Sequence, residues 1–241
     1  MRSRQFPILI LLGRPAAGKS EIINYLKSRP PETRRSELYI GGFEEIDDFP
    51  MLWSWFEEDR ILAQMGKPRL HTDEEGYFKF PYLWNLLIRR LELEYRKILR
   101  DDPDFEEDNT AIIEFSRGAE HGGFGEALSL FSAELLGRAA VLYVDVSYKE
   151  SLRKNRKRFN PQKPDSILEH ALPDDKLERL YKKSDWTEIT AADPRYMQIG
   201  EVRVPYAVLD NSDDITTVGG EALGERLRAA LCGLWQSYAN P

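Results

Sequence analysis

Cysteine and histidine are scarce in this chain: among 241 residues there is one cysteine, Cys232, and three histidines, His71, His121 and His170. A lone cysteine forms no intramolecular disulfide, and the histidines lie far apart with no thiols at zinc-ligand spacing, so neither a disulfide scaffold nor a structural zinc site is expected. This usage fits the reducing cytoplasm. Long apolar runs are also missing. The stretch from Phe6 to Leu12 is too short to span a bilayer and has no small-residue cleavage site behind it, so neither a membrane helix nor a cleaved leader is expected. Positive charge is in deficit too. A formal net charge of −7 argues against binding nucleic acid polymers, whose nonspecific affinity comes from neutralising phosphates with Lys and Arg.

What is present is enough apolar material for a folded core: 41% hydrophobic and 11% aromatic residues, well above what a disordered chain carries. The run from Phe6 to Leu12 has the pattern of a strand buried on both faces in a parallel sheet. Behind it, Lys19 to Ser28 places Ile22, Ile23 and Leu26 on one side of a helix that Pro30 and Pro31 bring to a stop. Further strands are expected at Glu37–Ile40, Thr110–Phe115, Ala139–Val146 and Val204–Leu209. Helices are expected at Leu83–Arg100, Glu126–Leu136, Tyr148–Arg158, Ile167–Tyr181 and Glu221–Tyr238. Such alternation predicts one α/β domain over residues 1–241, with a mostly parallel sheet covered on both faces. Residues 42–108 hold no clear strand and many aromatics, Trp53, Phe56, Tyr77 and Trp84 among them, and read as a helical insertion.

The most informative segment follows the first strand. Gly13, Arg14, Pro15, Ala16, Ala17, Gly18, Lys19 and Ser20 satisfy G-x-x-x-x-G-K-[ST] at every fixed position. Glycines let the backbone wrap around phosphate oxygens, so N–H groups and the positive end of the next helix converge on one anion. In this motif Lys19 reaches the β- and γ-phosphates, and the Ser20 hydroxyl is a magnesium ligand.

On these residues the chain resembles the P-loop kinases of nucleotides, nucleosides and other small metabolites. The resemblance implies a three-layer sandwich around a five-stranded parallel sheet of order 2-3-1-4-5. It also implies ATP with Mg2+ as phosphoryl donor, an acceptor-side insertion and an arginine-bearing lid, here residues 150–165. Glu114, at the end of the strand Ala111–Phe115, matches an acid that holds a magnesium-bound water or takes the acceptor's proton, and Arg117 behind it would pair with an anionic acceptor. The basic run Leu152–Arg158 occupies the place of the lid, and Arg153 and Arg156, sharing a helix face, suit stabilisation of the transferred group; Arg158 falls off that face. The segment Val204–Ser212 matches the last strand and base-contacting loop, which would set Asn211 beside adenine.

Several features stay open at this level. Glu44, Glu45, Asp47 and Asp48 form an acidic cluster where related kinases keep a catalytic carboxylate, so one of them competes with Glu114 as general base, against the plainer reading of a solvated acidic loop. Gln162–Asp165 only loosely echoes the N-K-x-D guanine motif, which leaves ATP against GTP undecided, and Gly122–Gly125 lacks the preceding strand a second phosphate loop needs. The expected function is ATP-dependent transfer of a phosphoryl group to a small-molecule acceptor, a nucleoside or nucleotide. The alternative is a nucleotide-binding regulatory NTPase or a kinase that has lost catalysis.

Overall fold

The computed structural model describes residues 4–158 and 171–240. The chain opens with β1 (Ile8–Gly13), α1 (Lys19–Lys27), α2 (Pro31–Leu38), β2 (Gly42–Asp47) and α3 (Asp48–Gln64). It continues through α4 (Tyr82–Asp101), α5 (Phe105–Asp108), β3 (Asn109–Phe115), a 3-10 turn (Ala119–His121), α6 (Gly123–Ser129), α7 (Ala133–Leu136) and β4 (Ala139–Asp145). The last part carries α8 (Tyr148–Arg158), α9 (Asp174–Tyr181), α10 (Trp186–Thr190), β5 (Tyr196–Ile199), β6 (Val202–Asp210), α11 (Ile215–Val218) and α12 (Gly220–Ala239).

The strands form one mixed sheet of order β2-β3-β1-β4-β6-β5. Pairing is parallel from β2 to β6, and β5 joins β6 antiparallel. The sheet therefore differs from the five-stranded parallel 2-3-1-4-5 expectation by a sixth, antiparallel edge strand. Gly200 at φ +56° sits in the tight turn from β5 to β6 and brings the chain straight back. Helices cover both faces. On one face Ile8, Ile10, Ile113 and Val141 pack with Ile88 and Leu91 of α4 and Phe124 of α6. On the other, Leu9, Leu11, Leu142 and Val144 pack with Ile22 and Leu26 of α1 and Leu227 and Leu231 of α12. All six residues of β1 are buried, because the sequence gives it no polar face. Each of its five Ile and Leu side chains contributes on the order of 1.5–3 kcal/mol on burial.

Two elements depart from the sequence expectation. Glu37–Ile40 is not a strand: Pro31, at the first helical position, launches α2 through Leu38, and Tyr39 at φ +58° ends it. The second strand is instead Gly42–Asp47, inside the stretch read as purely helical. Its sequence carries no apolar alternation, because only Ile46 is buried and Glu44 and Glu45 face solvent, the charged pattern of an edge strand. The helix expected over Glu126–Leu136 is two short ones, α6 and α7, interrupted at Leu130–Ser132. Part of the helix expected at Ile167–Tyr181, and lid residues 159–165, lie outside the described residues. Among the described residues no helix is long and apolar enough to cross a membrane.

Candidate active site at the carboxyl edge of the sheet

The loop after β1 is curled by two left-handed residues, Ala16 at φ +55° and Gly18 at φ +110°. Glycine is required at position 18, since a side chain there would collide with Thr216 and come within 2.8 Å of Asn211 Nδ2. Beneath the loop Asn211 is fully buried. Its Nδ2 donates to the Ala17 carbonyl and to Thr216 Oγ1, both at 2.8 Å, and its Oδ1 accepts from the Thr216 N–H at 3.1 Å. The expected adenine contact is not what the side-chain amide makes here: it is committed to holding the loop's shape. Asn211→Ala is expected to cost about 2–3 kcal/mol, since it strands buried polar partners; the loss is measurable by urea denaturation, together with a raised KM for nucleotide.

Arg14 is also a strut. Its guanidinium donates to the carbonyls of Val146, Tyr181 and Lys182, tying the loop to the end of β4 and to α9. Ser151 Oγ of α8 donates to the Pro15 carbonyl at 2.7 Å. Ser20, at the start of α1, lines a cleft of about 660 Å³ together with Ala16, Ala17 and Gly18.

Lys19 is buried at 6% exposure. Its Nζ donates to Ser116 Oγ at 2.9 Å and to the Arg14 carbonyl at 3.3 Å, and lies 3.7 Å from Glu114 Oε1. Parallel pairing places Asp47 of β2 in register with Glu114 of β3, so two carboxylates end side by side at the sheet edge. Asp47 also caps α3, its Oδ1 accepting from the Phe49 N–H at 3.0 Å. Burial, then the charges of Glu114 and Asp48, push the Asp47 carboxyl up to about 8. Burial likewise raises Glu114, against the opposing pull of Lys19.

The acidic cluster is thus divided by the pleat and the turn into α3. Glu44 and Glu45 are solvated on the edge strand, whereas Asp47 and Asp48 reach the cleft, so the cluster is not a solvated loop. Asp48 takes a different partner. Its Oδ2 accepts from Arg117 Nη1 at 2.6 Å, with both side chains buried. Arg117 also donates to the Ser116 and Trp84 carbonyls and lies over the Trp84 and Phe115 rings. The expected anion-binding arginine is therefore already engaged inside the protein.

The basic helix α8 turns another face to the cleft than the sequence suggested. Arg153 pairs with Glu150 and Asp214, and Arg156 with Asp174, both well exposed. Neither lines the cleft; Asn155 and Arg158 do. The signal was the stripe Ser151, Lys154, Asn155 and Arg158 at i, i+3, i+4, i+7, of which the first three are buried. Arg158 acts electrostatically on Glu114, pulling its pKa down.

The acceptor side is built by α3, α4 and the segment between them. Asp59 anchors that segment: fully buried, it accepts from the backbone N–H groups of Leu70, His71 and Thr72 and from Thr72 Oγ1. Burial alone would raise its pKa, but these donors hold it low. Trp53, Phe56, Phe78 and Trp84 line the cleft with His121. His121 stacks on Trp84 with centroids 3.9 Å apart, and burial together with Arg117 pulls its pKa down to about 3. Among the described residues, no three His, Cys, Asp or Glu side chains gather as a metal cage.

No family model and no curated protein matches the chain. Solved structures that share its outline include TT1252 from Thermus thermophilus, 16% identical, covering 95% of this chain and 97% of that one, with a TM-score of 0.41. An unliganded sugar kinase from Janibacter sp. is 17% identical, covers 94% of this chain and 95% of that one, and also has a TM-score of 0.41. Likenesses this distant carry no argument about substrate or activity.

Proposed function

We propose that the protein is a phosphotransferase that moves the γ-phosphoryl group of ATP to a small-molecule acceptor of the nucleoside or nucleotide kind, with Mg2+ as cofactor. The observation that carries this reading is the buried Lys19 of a G-x-x-x-x-G-K-S loop opening, beside Asp47 and Glu114, into one aromatic-lined cleft. Ser116 Oγ, the Arg14 carbonyl and Glu114 compensate the desolvation of Lys19, and an anion seated in the loop would add to these partners. The loop backbone from Gly13 to Ser20 would seat the phosphates, and Lys19 would offset charge on the transferred group. Magnesium is bound by one or two oxygen ligands plus substrate phosphates rather than by an all-protein cage, and Ser20 with Glu114 supplies oxygens of that kind; the ion would neutralise phosphate charge.

Arg158, rather than Arg153 or Arg156, is the α8 cation suited to the developing charge. Arg158→Ala is expected to lower kcat tenfold to a hundredfold, while Arg156→Ala stays within about twofold, as an exposed ion pair predicts. Steady-state ADP release resolves the two. The broader test is acceptor-dependent ADP release across nucleosides, nucleotides and small alcohols with MgATP. Nucleotide binding with no transfer to any acceptor would leave a binding protein, not a kinase.

A further inference from the structure

The expected lid begins in α8, yet that helix is fastened down along one face. Ser151, Lys154 and Asn155 on this face are 0%, 8% and 4% exposed. Each spends its polar group on a different part of the protein. Ser151 Oγ donates to the Pro15 carbonyl in the loop after β1 at 2.7 Å. Lys154 Nζ pairs with Asp214 Oδ1 at 2.5 Å and donates to Thr216 Oγ1 at 3.4 Å, which ties α8 to the chain behind β6. Asn155 exchanges two hydrogen bonds with Leu172 ahead of α9: Nδ2 donates to the carbonyl at 2.6 Å, and Oδ1 accepts from the N–H at 3.1 Å. One turn beyond Lys154, on the same face, is Arg158, which lines the cleft.

Of the three ties, the one through Lys154 carries charge. Its partner Asp214 is shared with Arg153, but Arg153 is 49% exposed, and an ion pair so open to water is weak. The Lys154 pair is buried, where charges are screened much less. Thr216, the other group Lys154 meets, is held independently by Asn211 through two shorter bonds, so the loop around Gly18 keeps its brace without the lysine. What depends on Lys154 is the seating of α8. Ties at i, i+3 and i+4 leave the helix no hinge ahead of Arg158, because hinges fall in loops and at element ends.

We infer that α8 is a fixed post and not a moving lid, and that Lys154 is the positioning residue that sets Arg158 against the phosphate loop. The role of Arg158 rests on the phosphotransferase reading, which this deepens. Lys154 itself does not line the cleft and acts through Arg158. A cation presented from a frame that is built before substrate arrives is preorganised for developing charge, so no movement of α8 precedes transfer.

Hydrogen exchange of the full chain, read by mass spectrometry with and without MgADP, tests the post in the parent protein. Amides of residues 152–158 should exchange about a hundredfold or more slower than in an unstructured peptide, with less than about a threefold difference between the two states, while residues 13–20 slow on adding MgADP. Rapid exchange in α8 that MgADP suppresses overturns the inference and leaves the kinase reading standing. Lys154→Met tests the positioning role, since it keeps a straight apolar stem and leaves Asp214 paired with Arg153. In acceptor-dependent ADP release its kcat should fall about tenfold in the parent background but less than about twofold in Arg158→Ala, with KM for MgATP within about threefold throughout. A merely structural loss would appear equally in both backgrounds. Equal losses, or no loss in either, overturn the assignment to Lys154. No slowing of residues 13–20 by MgADP overturns the phosphotransferase reading and the role of Arg158 with it.

Discussion

Lys19→Met is expected to lower kcat about 10²- to 10³-fold, with the fold intact. The substitution keeps an apolar stem of similar length in the buried channel and removes only the ammonium group that contacts Ser116 Oγ and the Arg14 carbonyl and faces Glu114. Loss of one preorganised charge aimed at a developing oxyanion is worth about 2.7–4 kcal/mol of transition-state stabilisation, which sets the size of the effect. Glu114 then loses its nearest cation, so its pKa, already raised by burial, should move further up. Single-turnover kinetics read the chemical step directly, and circular dichroism reports the fold. Equal rates in the variant and the parent protein would remove the loop from catalysis.

Asp47→Asn should separate activity from stability in opposite directions. A positioned general base contributes about 10²- to 10⁴-fold, so turnover should fall by that order. Stability should rise at neutral and alkaline pH. The folded-state pKa of about 8 lies above the ordinary carboxylate value near 3.9, so the folded protein holds a proton there that the unfolded chain has released. Stability from this group is therefore full below pH 4 and is lost as pH rises through about 8. Asparagine cannot ionise, removes that loss and still caps α3, because its side-chain oxygen accepts the same Phe49 N–H. Melting curves from pH 5 to 9 should diverge, with the variant ahead at the alkaline end. For the parent protein the base must be ionised to work, so kcat/KM should climb with pH through about 8. A variant that melts lower than the parent at every pH would argue that Asp47 is stabilising as an anion and not strained by burial.

Legibility of the site from sequence followed locality. The Gly13–Ser20 loop is contiguous, and each of its fixed positions answers a backbone or charge requirement of its own. Glu114 was readable because β3 is a clean apolar run whose end is unmistakable. Asp47 is legible only as one of four acids, Glu44, Glu45, Asp47 and Asp48, since β2 is an edge strand with one buried side chain and gives no periodic signal. The basic run in α8 announced charge but not phase. Which arginine faces the cleft depends on how Ser151 and Lys154 dock, through the Pro15 carbonyl and Asp214 respectively.

By itself the sequence determined an α/β chain with a phosphate-type loop behind its first strand, because buried parallel strands and left-handed glycine turns leave local marks. Tertiary structure alone decided which charges are spent and which are available. Arg117 is consumed by Asp48 across 69 residues, and Asn211 reaches 194 residues back to brace Ala17. Such pairings are set by strand order and register, which bring distant positions to one sheet edge, and no spacing along the chain encodes them.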